Sequence, residues 1–235
     1  MKAKKKVIIS IVSVIMLVIA LVGGTFTYAY FTDSVETTNV IATGSIKIEQ
    51  HEVDRTGATL NLDNVTLMPA ILQPATESKD INGTAYDFAT HKNIVDKVVY
   101  LKNVGKNSAY IRTLIAVPKI KGKVLINLVK NEKGITWETI GDITVGGVEN
   151  TLYVATYTNA LESGAVSSAS LLQVYLDPTT TSADVDGLAN VKIKVISQAI
   201  QSAGFDELDG GTDLADNALN AGFGDITTTN NPFVA

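Results

Sequence analysis

VVYLKNVGKNSAYIRTLIAV, residues 98–117, decides the fold. Two runs rich in Val, Ile, Leu, Tyr and Thr flank the polar stretch VGKNSA, residues 104–109. β-Branched and aromatic side chains suit a pleated, half-buried surface, and Gly105 and Asn107 are residues that tolerate positive φ. The pattern predicts strands over 96–103 and 109–117, joined by a hairpin turn. Pro118 marks the end of the second strand, because proline cannot donate to a ladder.

The pattern continues outward, with further strands predicted over 40–49, 123–129, 136–140, 152–157, 170–176 and 191–201. In VKIKVIS, residues 191–197, Val191, Ile193 and Val195 share one face while Lys192 and Lys194 share the other. In SIKIEQ, residues 45–50, Ile46 and Ile48 oppose Lys47 and Glu49 in the same way. One dry face and one wet face is the signature of antiparallel sheets. Eight short strands with little helix predict a mainly β fold, an antiparallel β-sandwich or jelly roll with a few short helices. One helix is expected over 213–221, capped by Asp213 and stopped by Gly222. Residues 57–93, with two prolines and many polar residues, read as an insertion-like excursion carrying one short strand.

Residues 1–40 carry an address. Lys2, Lys4, Lys5 and Lys6 precede an apolar run, Val7 to Val22, broken only by Ser10 and Ser13. That run is shorter than the roughly 20 residues needed to span a bilayer. Thr27 and Ala29 fit the small-residue positions of a signal-peptide cut after Ala29, with Tyr30 marking the neighbouring bond. The expected organisation is a signal peptide at 1–29, formed by a hydrophobic signal helix, and an extension at 30–40. The sandwich follows at 41–226, and a flexible polar tail at 227–235. The mature protein is expected outside the cell, in the extracellular matrix or at the cell surface. It would touch the membrane only through an uncleaved leader.

Without its four leader lysines the chain keeps 15 basic against 24 acidic residues, a net charge of −9 in place of −5. That balance argues against nucleic acid or anionic lipid as partners. The absence of cysteine excludes thiolate nucleophiles, zinc-thiolate sites and lipid attachment through cysteine.

Catalytic chemistry is sparse. The two histidines, His51 and His91, are 40 positions apart, and neither begins the HExxH pattern that places two ligands on one helical face. Gly-x-Ser-x-Gly and phosphate-binding glycine loops are absent, so the expectation is a protein that is not an enzyme and holds no cofactor. Two acidic, glycine-containing loops are weak calcium candidates: Asp184 with Asp186, and Asp209 with Asp213. Neither completes an EF-hand. Trp137, Tyr100, Tyr110, Tyr153, Tyr157 and Tyr175 lie on predicted strands and read as packing residues rather than a sugar platform.

Five stretches in order carry a family resemblance: GGTFTYAYFTD (23–33) with TTNVIATGSIKI (37–48), then residues 98–117, NALESGAVSSASLLQVYLD (159–177), VKIKVISQAIQSAGF (191–205) and ALNAGFG (218–224). Together they resemble the TasA/camelysin family of exported proteins from Gram-positive bacteria. The leader resembles those processed by a SipW-type signal peptidase. The resemblance implies a jelly-roll domain and a role in extracellular biofilm-matrix fibres, and some relatives are described as metalloendopeptidases. Residues 57–93 lie outside it.

An extended peptide can add to a neighbour's sheet edge through backbone hydrogen bonds. Once the leader is cut, Tyr30, Phe31, Thr32, Asp33, Ser34, Val35 and on to Val40 form the candidate donor strand. Head-to-tail donation does not close, so it yields filaments. The expected partner is therefore the chain itself, with a SipW-type peptidase and an accessory matrix or anchoring protein. The alternatives are a camelysin-like metalloendopeptidase and a monomeric adhesin or carbohydrate-binding module.

Overall fold

The structure is a computed structural model that describes residues 29–31, 40–43, 46–60, 62, 65–186, 190–205 and 214–234. The expected signal helix lies outside them. Among the described residues, no helix is long and apolar enough to cross a membrane.

The chain is mainly β and antiparallel, as expected, and two sheets form the sandwich. The five-stranded sheet runs β10 (Ile135–Val145), β11 (Val148–Tyr157), β8 (Ala109–Pro118), β14 (Lys194–Gln201) and β2 (Val40–Thr43). The four-stranded sheet runs β3 (Ile48–Val53), β7 (Val95–Asn103), β12 (Leu171–Leu176) and β9 (Ile126–Lys130). Between them lies a core that includes Val99, Leu171 and Val174 from one sheet and Ile115, Val117 and Val195 from the other. From β7 to β10 each successive strand changes sheet, which is the jelly-roll habit.

Residues 104–109 are therefore not a hairpin turn. They arch from β7 in one sheet to β8 in the other. The buried Asn103 side chain holds the arch: its Nδ2 donates to the carbonyls of Asn107 (2.8 Å) and Leu161 (2.9 Å), and its Oδ1 accepts from the Gly105 N–H (2.9 Å). Gly105 does not take positive φ. It is needed because a Cβ there would sit 2.6 Å from the Lys47 backbone nitrogen.

The outer faces are covered too. A hairpin of β5 (Thr76–Ile81) and β6 (Thr84–Ala89) lies over the four-stranded sheet, where Ile81, Tyr86 and Phe88 pack on Val53, Val98, Ala169 and Leu172. Residues 57–93 thus hold more than one short strand: β4 (Val65–Leu67) and this hairpin. Asn82-Gly83 makes the hairpin, with φ of 55° and 79°, the paired left-handed geometry of a two-residue type I′ turn. Over the five-stranded sheet lie α2 (Leu214–Phe223) and the C-terminal stretch. The helix continues through Gly222 and stops at Gly224 (φ 77°). Asp213, its expected cap, lies outside the described residues.

The expected polar tail is built into the fold instead. Asn231 is buried, and Phe233 packs on the cluster of Leu114, Ile143, Leu152 and Val154. Cover on both faces explains β8, in which every residue is buried. Its near-continuous apolar run is that of a central strand with no wet side.

Candidate assembly site

The site is one strand edge. β14 pairs with β8 on one side, antiparallel from Lys194 opposite Ala116 to Gln201 opposite Ala109. On its other side it meets residues from the far end of the chain. β2 runs parallel to it, with Val40 opposite Ser197 and Thr43 opposite Ile200.

Just before β14 in sequence, β13 (Asn190–Val191) pairs in parallel with β1 (Ala29–Phe31), Tyr30 opposite Asn190 and Phe31 opposite Val191. β1 is the middle strand of its small sheet, with β4 antiparallel on its other side. The stretch Asn190–Gln201 is thus edged at both ends by residues 29–31 and 40–43. These contacts are backbone ladders, which any extended sequence can make. The predicted strand over 40–49 is divided, because β2 joins one sheet and β3 the other.

The alternation read from VKIKVIS holds at this edge. Val191, Ile193 and Val195 are buried in the core, while Lys192 and Lys194 are exposed. β14 itself is fixed from beneath by polar contacts. Ser197 Oγ donates to Gln50 Oε1 at 2.8 Å, and Gln50 Nε2 donates to Glu52 Oε1 at 2.9 Å. Glu52 also accepts from the fully buried Lys97. These groups tie β14 across the core to β3 and β7. Sequence reading missed them, although a lysine at the centre of the apolar run VDKVV was a visible signal.

Of the expected donor residues, Tyr30 and Phe31 lie in β1 and Val40 opens β2. Thr32, Asp33, Ser34 and Val35 lie outside the described residues. Ala29 and Tyr30, the expected cleavage pair, lie inside β1.

The other candidates fall elsewhere. His51, on β3, stacks on Tyr100 with ring centroids 5.0 Å apart, and its Nε2 is 3.8 Å from Glu49. His91 follows β6; its Nδ1 accepts the Gln73 N–H at 2.9 Å, and its ring meets Tyr175 edge-on. Among the described residues no group of three His, Cys, Asp or Glu side chains is placed to hold a metal ion.

Asp184 closes the short helix α1 (Ser182–Val185) onto Thr181, whose N–H and Oγ1 donate to it at 2.9 and 2.7 Å. Lys123 Nζ donates to its other oxygen at 2.5 Å and, with Thr181, holds its carboxyl well below the usual carboxylate range. Asp186 follows directly on the helix, while Asp209 and Asp213 lie outside the described residues. Tyr110 and Tyr157 are buried, and Trp137 donates to the Asn131 carbonyl at 2.9 Å. Lys130 Nζ sits 4.8 Å from the Trp137 ring centre and 4.5 Å from that of Tyr153. The aromatic residues are packing elements, as read.

The sequence profile of the camelysin metallo-endopeptidase family matches residues 2–56, which take in most of the expected leader together with β1, β2 and β3. No curated protein and no solved structure matches the chain. Through that N-terminal segment, which includes both strands that edge β13 and β14, the chain is similar to the camelysin metallo-endopeptidase family.

Proposed function

We propose that the chain is a secreted subunit of extracellular matrix fibres, assembling head-to-tail when the N-terminal strand of one copy pairs with the β13–β14 edge of the next. One observation supports this reading: residues 29–31 and 40–43 pair with the edge through backbone ladders and come from the far end of the chain. An edge that accepts a segment in cis accepts the same segment from a neighbour, because the bonds formed are identical. Tethering by the uncut leader restricts where residues 30–43 can go, so cleavage acts as the release. The donor is the chain itself, the releasing enzyme is a SipW-type peptidase, and an accessory anchoring protein is the remaining partner.

The test is negative-stain microscopy of the protein with its leader removed. Fibres are expected from residues 30–235, and none from a chain that also lacks residues 30–39. That truncation should stay monomeric by size exclusion and keep the circular dichroism of a β fold. Fibres of normal morphology from it would refute strand donation.

The description of the matched family favours a second reading, a cell-surface metalloendopeptidase. It requires chelator-sensitive cleavage of casein by purified protein, reduced in His51→Ala or His91→Ala. Cleavage untouched by chelator and by both substitutions counts against it.

A further inference from the structure

Arg112 sits in the middle of β8 with 2 % of its surface exposed, and no carboxylate bonds to it. Its Nε donates to Gln198 Oε1 at 2.7 Å, its Nη1 to Asn220 Oδ1 at 2.6 Å and its Nη2 to the Gly224 carbonyl at 3.2 Å. Guanidinium has five N–H donors. One on each Nη therefore has no acceptor among the described residues. The group is locked in place, with the Phe223 ring centre 5.9 Å away, and two of its five N–H groups are left without an acceptor among the described residues. Burial lowers its pKa to about 10, which still leaves it charged at neutral pH.

This guanidinium lines a polar cleft of about 420 Å³ between β10, β8, α2 and the residues that follow the helix. The volume is within the usual range for small-ligand sites, roughly 300–1,000 Å³. Glu138 on β10, Asp216 on α2 and Asp225 beyond it bring carboxylates to the same cleft, and Asn217 and Asn220 bring amides. Asn220 gives its carbonyl oxygen to Arg112, so its NH₂ remains as a donor.

The wall is therefore a mixture of donor-only and acceptor-only groups. A metal ion would face the Arg112 charge, and no metal-holding group occurs among the described residues. A simple anion would face three carboxylates. A neutral ligand whose groups both donate and accept satisfies the whole wall, and vicinal hydroxyls do this.

We infer that the cleft between α2 and the β8–β10 face binds a neutral, hydroxyl-rich sugar unit, with Arg112 donating to one hydroxyl and Glu138 and Asp216 accepting from others. The site adjoins β14, whose Gln198 holds Arg112, but the inference does not rest on strand donation.

Isothermal titration calorimetry of the full leader-less chain tests it, using the trimers of glucose and of N-acetylglucosamine as probes, with spermidine and calcium chloride as controls. Millimolar or tighter binding of one trimer is expected. Glu138→Ala and Asp216→Ala should each weaken it about tenfold, the size of one lost hydrogen bond to a charged group. Both side chains lie at the cleft rim, and thermal unfolding of each variant should match the parent. Arg112→Lys keeps the charge and removes the fork, and should weaken sugar binding as well. Three results overturn the inference: no heat from either trimer, trimer binding unchanged in both rim variants, or binding of spermidine or calcium without sugar.

Discussion

Phe88→Ala tests whether the β5–β6 hairpin is an appendage or a layer of the fold. Phe88 is fully buried, in a cluster with Val53, Val98 and Leu172 of the four-stranded sheet. Truncating such a ring costs about 3–5 kcal/mol. The Arg55 guanidinium lies 5.5 Å from the ring centre, and its loss adds ~0.5–1 kcal/mol. The neighbouring residue is clamped as well: the Ala89 N–H donates to Gln173 Oε1 at 2.8 Å, and the Ala89 carbonyl accepts from Gln173 Nε2 at 3.3 Å. With the hairpin tied into β12 in this way, the loss is expected in global stability rather than in local fraying. For a domain of this size it amounts to a drop in Tm of roughly 7–24 °C. Urea unfolding of the processed protein, followed by fluorescence and circular dichroism together, measures it. A single cooperative transition at a lower midpoint is expected. A loss below about 1 kcal/mol, or an early separate transition that leaves the main one unmoved, would refute the argument.

Two further outcomes follow from the same structure. Gly105→Ala puts a Cβ against the Lys47 backbone nitrogen and should cost about 1–3 kcal/mol by displacing the inter-sheet arch, read in the same urea assay; an unchanged midpoint rejects the close-approach explanation. Acid should destabilise the fold. Lys119 holds Asp142, Thr179 holds Asp177 and Lys123 holds Asp184 below their unfolded value of 3.8. Their contribution is present above that value and is lost as pH falls through the folded pKa values. Urea midpoints should therefore decline below about pH 4, less steeply in Asp142→Asn, and a flat profile there contradicts the assignment.

The sheets were legible because burial here follows a period of two. Val191, Ile193 and Val195 are buried between exposed lysines, as their spacing predicts. What one strand's pattern does not carry is its partner. The chain 98–117 reads as two strands and a turn whether the turn is a hairpin or an arch between sheets. The difference lies in Asn103, whose side chain bonds to Leu161, 58 positions away. The β5–β6 hairpin had its own signal in Asn82-Gly83 between strand-like runs, and the surrounding polar residues hid it, since one face of the hairpin is wet. The cleft was foreshadowed by one residue, an arginine within AYIRTLIAV. Its partners Gln198, Asn220 and Gly224 come from later elements, so no spacing rule would have assembled them.

The weakness of the N-terminal pairing bears on strand donation. From Phe31 to Val40 the chain takes nine steps, while its partner takes six from Val191 to Ser197. The two paired patches therefore do not belong to one unbroken register. Each is short, two positions on β13 and four on β14. A backbone hydrogen bond contributes about 0.5–1.5 kcal/mol net, so the backbone pairing of either patch with the edge is worth only a few kcal/mol, and β1 is held by β4 as well, at three positions. A long, tightly registered cis strand would have to be torn out before a neighbour could take its place. Two short patches can exchange one at a time, each opening only a small part of the edge. By contrast β8, the strand on which the acceptor edge is built, is covered on both faces and paired along its length. Polymerisation by strand exchange, as proposed, needs a firm acceptor, and β14 held along its length by the buried β8 is such an edge.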